Sequence, residues 1–197
     1  MISKNKVLPY VACALIVVQL LLVLVSWIWS AAVPASGVRS LLSGEGIRWV
    51  LGQFAQLLAT PVLVWILLLA AAFGSIRASG MLKWQHIYRA SRARIVTVLF
   101  LVVYIGIILL MTAIPHAVLL SADGSLWPSP FSASLVTLVS FGLMASALIY
   151  GTVAGSFLSL ADVTQALVRG IQWAAPLLLL YILLAQLYFS LRFVFSA

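Results

Sequence analysis

The chain has 197 residues, of which 65% are hydrophobic and only 7% charged, with a mean hydropathy of +1.24 and a formal net charge of +8. Soluble domains carry about 25% charged residues, so this composition excludes a water-facing surface and with it a soluble domain. The basic residues are dispersed among apolar runs without a polar scaffold, which predicts membrane lipids with anionic headgroups, and no nucleic acid, as their partners.

Each membrane crossing takes about 20 apolar residues. With the short connections seen here, that predicts a single all-α transmembrane domain over 1–197, built from about five transmembrane helices plus short interfacial helices. The first apolar stretch, Val7 to Trp29, follows Lys4 and Lys6 as a signal peptide would, but its length and its closing Trp27 and Trp29 mark a retained span near 7–29. Cys13 lies inside that span; a lone cysteine excludes an intrachain disulfide framework and is read as a packing residue.

From Trp49 to Ile76 the apolar stretch exceeds one crossing, and Thr60-Pro61 falls where a helix would kink or restart. The expectation is an interfacial helix leading into a span near 57–76, with Ser43 as N-cap and Glu45 as an acid complementing the dipole of the first turn. The segment from Arg77 to Arg94 is read as a basic loop. In it Arg77, Lys83, Arg89, Arg92 and Arg94, mixed with Trp84, His86 and Tyr88, suit a lipid headgroup surface.

Further spans are expected near 95–113, 131–153 and 173–195. Ser129-Pro130 supplies a cap and a first-position proline for the fourth span. Between the fourth and fifth, Ser159-Leu160-Ala161-Asp162 has the spacing of a capping box, which makes Asp162 a cap and not a proton carrier. With a cytoplasmic N-terminus, the inner segments hold Lys4, Lys6, Arg77, Lys83, Arg89, Arg92, Arg94 and Arg169, leaving Arg39, Arg48 and Arg192 outside. That asymmetry predicts N-in and C-out.

Catalytic chemistry has little to build on. His86 and His116 fall in loops on opposite predicted faces with no cysteine or carboxylate cluster beside them, so neither a metal site nor a cofactor is predicted. The chain has three acidic residues and no Gly-rich phosphate loop, nucleophile elbow or paired carboxylates, and it is not expected to be an enzyme. The centres of the spans hold no ionisable group, which weighs against autonomous ion-coupled transport. Gln19, Thr97, Thr137, Ser140, Ser146 and Gln186 do enter spans, where each hydrogen bond to a neighbouring helix is worth on the order of 0.6 kcal/mol. Gly142 and Ser146 stand four apart, as do Gly151 and Gly155, a spacing that permits close helix approach within the chain or between protomers.

Several strings, taken in order, resemble the p-aminobenzoyl-glutamate transporter (AbgT) family of bacterial membrane transporters. They are Leu41-Leu42-Ser43-Gly44-Glu45-Gly46-Ile47-Arg48-Trp49, the segment from Gly74 to Met81, and Gly124-Ser125-Leu126-Trp127-Pro128-Ser129-Pro130. Tyr150-Gly151 with Gly155, Ala161-Asp162-Val163, Pro176 and Ala185-Gln186 continue the likeness. It covers two blocks, 1 to 83 and 88 to 197, joined where the family inserts much more sequence, so the chain resembles a reduced member. The family builds its transport core from re-entrant hairpins and broken helices. The first hairpin is missing from the likeness, and after Gln186 the chain reads Ser190-Leu191-Arg192-Phe193-Val194-Phe195 in place of the family's polar turn. Arg77 also stands where the family tends to carry an acid. The resemblance implies a transporter-derived multi-pass protein of the bacterial inner membrane, acting on p-aminobenzoyl-glutamate-like or other small organic anions, with Gln186 beside the substrate. It implies a homo-oligomer or a heteromeric membrane partner. The alternative is a non-transporting scaffold or accessory subunit.

Overall fold

The computed structural model describes residues 7–34, 37–82, 88–113, 119 and 129–195, apart from the side chains of Tyr88, Arg89 and Ala113. Lys4, Lys6, Lys83, His86, His116, Asp123 and the 124–128 string of the resemblance lie outside the described residues. Among the described residues, six helices make up the regular structure: α1 (Val7–Ala32), α2 (Gly44–Leu58), α3 (Pro61–Ser79), α4 (Tyr88–Ala113), α5 (Pro130–Ala154) and α6 (Leu160–Phe195). All except α2 are long and apolar enough to cross a membrane, so the expected all-α architecture with five candidate spans is what the chain adopts.

Local chemistry sets most helix ends. Ser43 caps α2, its hydroxyl accepting the Gly46 N–H at 3.0 Å, and Glu45 sits in the first turn. The α2–α3 break follows from Pro61, which has no N–H to donate; the Ala59 N–H turns back to the Ala55 and Gln56 carbonyls and the helix restarts at the proline. At α5, Ser129 and Ser132 each accept the other's backbone N–H, at 3.3 and 3.0 Å, with Pro130 at the first position. Before α6 the Asp162 carboxylate accepts the N–H groups of Leu158 and Ser159 at 3.0 and 2.9 Å, while the Ser159 hydroxyl accepts the Asp162 N–H at 3.3 Å.

Two boundaries differ from expectation. The basic segment is shorter as a loop, because Arg77 belongs to α3 and α4 begins at Tyr88, carrying Arg89, Arg92 and Arg94 on its first two turns. Arginine is a good helix former whose apolar stem lets its charge ride at a helix end, and Arg94 bonds back to the Ala90 carbonyl and the Ser91 hydroxyl at 3.3 and 3.2 Å. The capped segment and the fifth span are likewise one helix: α6 runs 36 residues with Pro176 inside it, about 54 Å at 1.5 Å per residue.

The chain divides into two compact units, 1–64 with 175–197 and 65–174, and both α3 and α6 contribute to each. In the first unit, buried Leu41, Phe193 and Val194 pack against Leu22, Val23 and Trp49. The Ser26 hydroxyl accepts the Leu41 N–H at 3.3 Å, and the Arg39 N–H donates to the Val194 carbonyl at 3.1 Å. The segment that follows α1 therefore meets the last turn of α6, so the two helices end side by side. Gly46 permits the tight 40–41 turn, since a Cβ there would lie 2.5 Å from the Leu41 carbonyl oxygen.

The second unit buries small side chains: Ala70, Ala72, Gly74 and Ser75 on α3, Ala93 on α4, and Ser140, Gly142, Ser146 and Ala147 on α5. Bulky residues of α4, among them Ile95, Leu99, Val102 and Leu110, are exposed. This inverts the distribution of a soluble protein and suits lipid, where small residues let backbones approach and apolar surface costs nothing outside. α4 and α5 pack on one another, with the Tyr104 hydroxyl donating to the Leu138 carbonyl at 2.8 Å.

Candidate functional site

A groove of about 660 Å³ opens in the first unit where α2, the last turns of α6 and the residue before the 40–41 turn come together. Among the described residues, Arg39, Arg48 and Arg192 line it with Glu45 as the single acid. Arg39 approaches Glu45 at 3.8 Å, both side chains well exposed, so this pair adds little to stability. Among the described lining residues, three guanidinium groups stand beside one carboxylate. Its floor is aromatic: the rings of Trp49 and Phe193 stack with centroids 4.6 Å apart, and the Arg39 guanidinium lies 5.9 Å from the Phe193 ring. Sequence reading placed these arginines on one face but saw no site, because residues 39, 48 and 192 form no linear pattern.

Nearby in the same unit, Tyr181 spans the α2–α3 break. Its hydroxyl donates to the Leu58 carbonyl at 2.9 Å and shares a 2.5 Å hydrogen bond with Thr60. Tyr181 thus adds a second donor to the Leu58 carbonyl, which at the break also accepts the Thr60 N–H at 2.8 Å. Gln186 lies on α6, half-buried and one turn before Phe189, a residue of the groove, but it is not itself part of the lining. Gln19, near the middle of α1, donates to the Ser190 hydroxyl at 2.9 Å, and its buried Oε1 has no partner among the described residues.

In the second unit, one close helix contact is absent from the sequence reading. Gly74 of α3 and Gly170 of α6 meet so tightly that a Cβ on Gly74 would lie 2.5 Å from the Ala166 carbonyl oxygen and 2.6 Å from the Gly170 Cα. Ala70 with Gly74 and Ala166 with Gly170 each show the four-residue spacing of small residues. Beside this contact Arg77 lies over the Trp173 ring at 4.7 Å, and Phe73 meets the same ring edge-on at 5.9 Å.

The small residues singled out from sequence have separate surroundings. Gly142 faces the Tyr104 ring of α4, where a Cβ would come within 2.7 Å, and Ser146 is fully buried. Gly151 lies against the Phe157 ring of the following turn, and Gly155 closes α5 with φ of 80°. The serine hydroxyls mostly bond within their own helix, Ser140 to the Val136 carbonyl and Ser146 to the Leu143 carbonyl, while the buried Thr97 hydroxyl has no partner among the described residues. Between α4 and α5 a cavity of about 330 Å³ is lined by apolar groups, including Leu101, Ile108, Phe131 and Leu135. Among the described residues, no three His, Cys, Asp or Glu side chains come together as a metal site.

The sequence profile of the AbgT transporter family matches residues 88–193, more than half of the chain, taking in α4, α5 and α6 up to its last two residues. Among curated proteins and among solved structures, none matches.

Proposed function

Since the chain belongs to the AbgT transporter family, we propose that it takes part in the transmembrane movement of small organic anions, p-aminobenzoyl-glutamate-like molecules among them. The observation that carries this is the extent of the family match, which takes in three of the five candidate crossings. On this reading the protein works without an enzymatic role, as a multi-pass oligomer of its own chain in a bacterial inner membrane, N-in and C-out. Gln186 on α6 is the proposed neighbour of the substrate. Arg77, Lys83, Arg89, Arg92 and Arg94 hold the inner face against anionic headgroups, in keeping with the excess of basic residues on the segments assigned inside. Purified protein in proteoliposomes is expected to take up radiolabelled p-aminobenzoyl-glutamate above protein-free vesicles, with Gln186→Ala lowering uptake while leaving the melting temperature in place. Uptake no greater than that of empty vesicles would count against transport by this chain alone.

A second reading, an accessory subunit of a larger membrane complex, draws support from α1 and α5, which contain no Asp, Glu, Lys or Arg. Charged groups within spans are the usual markers of ion and substrate pathways. Native mass spectrometry after mild extraction separates the two: a different protein bound stoichiometrically favours the subunit, and a homo-oligomer favours the transporter.

A further inference from the structure

We propose that Arg77, Arg169 and Trp173 form a defined site for one anionic phospholipid, whose phosphate meets the two guanidinium groups while an acyl chain lies along Phe73. The site rests on the reading of Arg77 as a headgroup residue and adds to it a second cation, an aromatic partner and a single bound lipid. All four residues belong to the second unit. Arg77 stands in the last turn of α3 with its guanidinium 4.7 Å from the Trp173 ring, and Phe73, one turn earlier, meets that ring edge-on at 5.9 Å. Arg169 lies four residues before Trp173 on α6, so the two share one face of the helix. Both arginines are exposed, and among the described residues neither pairs with a carboxylate; Arg169 bonds to the neutral Gln165 amide at 3.3 Å. Asp162, the one acid of this unit among the described residues, has its carboxylate engaged by the Leu158 and Ser159 N–H groups.

Guanidinium groups bind phosphate through paired N–H donors, and the Trp173 ring steadies Arg77 from one side by a cation–π contact. Trp173 and Phe73 are 45% and 51% exposed. Apolar surface beside charge is covered by a ligand that joins a phosphate to an acyl chain, and left bare by a free phosphate. Depth agrees with this chemistry. From Trp173 to Phe195, α6 rises about 33 Å at 1.5 Å per residue, close to the roughly 30 Å of a bilayer's hydrocarbon core, and tryptophan is enriched at the headgroup level. Arg77 likewise stands at the end of a candidate span, Pro61–Ser79. Both helices therefore bring the cluster to the edge of the hydrocarbon layer, where lipid phosphates lie. Because α3 and α6 meet at Gly74 and Gly170, a phosphate held by both arginines ties the two helices together, and its binding raises the melting temperature by mass action.

The test uses the full chain in detergent, titrated in parallel with phosphatidylglycerol, with phosphatidylcholine of the same acyl chains, and with glycerol 3-phosphate. Native mass spectrometry counts the lipid retained, and a thermal melt follows stability. One phosphatidylglycerol retained per chain is expected, with a melting temperature that rises and saturates, and neither effect from phosphatidylcholine or glycerol 3-phosphate at the same concentrations. Arg77→Gln combined with Arg169→Gln should weaken phosphatidylglycerol binding about tenfold or more. Lys83→Gln combined with Arg89→Gln removes the same charge from the other headgroup residues and should weaken it far less. If the first pair fails to fold, Arg77→Lys takes its place; it keeps the charge but loses the planar fork, and should weaken binding severalfold. Equal losses in the two pairs would overturn the defined site and leave general attraction to headgroups standing, whereas equal retention of phosphatidylglycerol and phosphatidylcholine would overturn both. Undiminished binding in the Arg77 variants, or a melting temperature raised as much by glycerol 3-phosphate, would also overturn the lipid site.

Discussion

Gly74 shows how much one missing side chain decides here. Its α-carbon faces the backbone of α6 at Ala166 and Gly170 with no room for a methyl group. Gly74→Leu should therefore destabilise the protein by about 1–3 kcal/mol or more, the cost of overpacking a filled contact, read as a fall in melting temperature in detergent. Gly52, on the exposed face of α2, has nothing within reach of an added Cβ. Gly52→Ala should leave stability unchanged or raise it by up to about 1 kcal/mol, because alanine is the better helix former. Tyr181→Phe removes the two hydrogen bonds across the α2–α3 break, each worth on the order of 0.6 kcal/mol in a membrane protein. It should lower the melting temperature slightly while leaving the ring in place. The small-residue spacing was legible in the sequence at Gly142 and Gly151, but spacing alone does not say which pair of helices meets. Gly155 carries the same spacing as a helix cap, and the contact at Gly74 and Gly170 needed the fold to reveal it.

Helix ends were the most readable feature of the elements. Ser43, Ser129 and Asp162 act within three or four residues of themselves, so the local sequence contains the whole interaction. Ser129→Ala should cost about 1 kcal/mol, as loss of an N-cap usually does, visible as fraying of the first turn of α5 in hydrogen exchange. The start of α4 and the continuity of α6 were not readable in the same way. Arginines at 89, 92 and 94 look like a loop by charge yet sit on a helix end, and the span expected to begin near 173 is continuous with the capped segment before it, with Pro176 inside α6. Neighbouring groups in a membrane protein can satisfy the backbone that a proline frees, and no local pattern announces that they will. The groove is illegible for a related reason: Arg39, Arg48 and Arg192 are joined by the meeting of the 38–41 segment with the end of α6, through Arg39 and Val194.

For the whole molecule, composition alone fixed the membrane class, because a chain with 7% charged residues has no means of covering itself for water. The distribution of burial agrees, with small residues such as Ala147 and Ser146 inside and Leu99, Val102 and Leu110 outside. Orientation decides the side from which the arginine groove is reached. It is tested most directly by single-cysteine labelling in intact bacteria with a membrane-impermeant maleimide, on a Cys13→Ser background. Cysteines replace Leu42 and Phe195, beside the groove's face, and Leu82 and Leu158, at the ends of other helical segments; all four positions are exposed. A five-span chain with its N-terminus inside predicts labelling of Leu42→Cys and Phe195→Cys from outside, and of Leu82→Cys and Leu158→Cys only after permeabilisation. Labelling of Leu82→Cys or Leu158→Cys in intact cells, or of Leu42→Cys and Phe195→Cys from different sides, would contradict it.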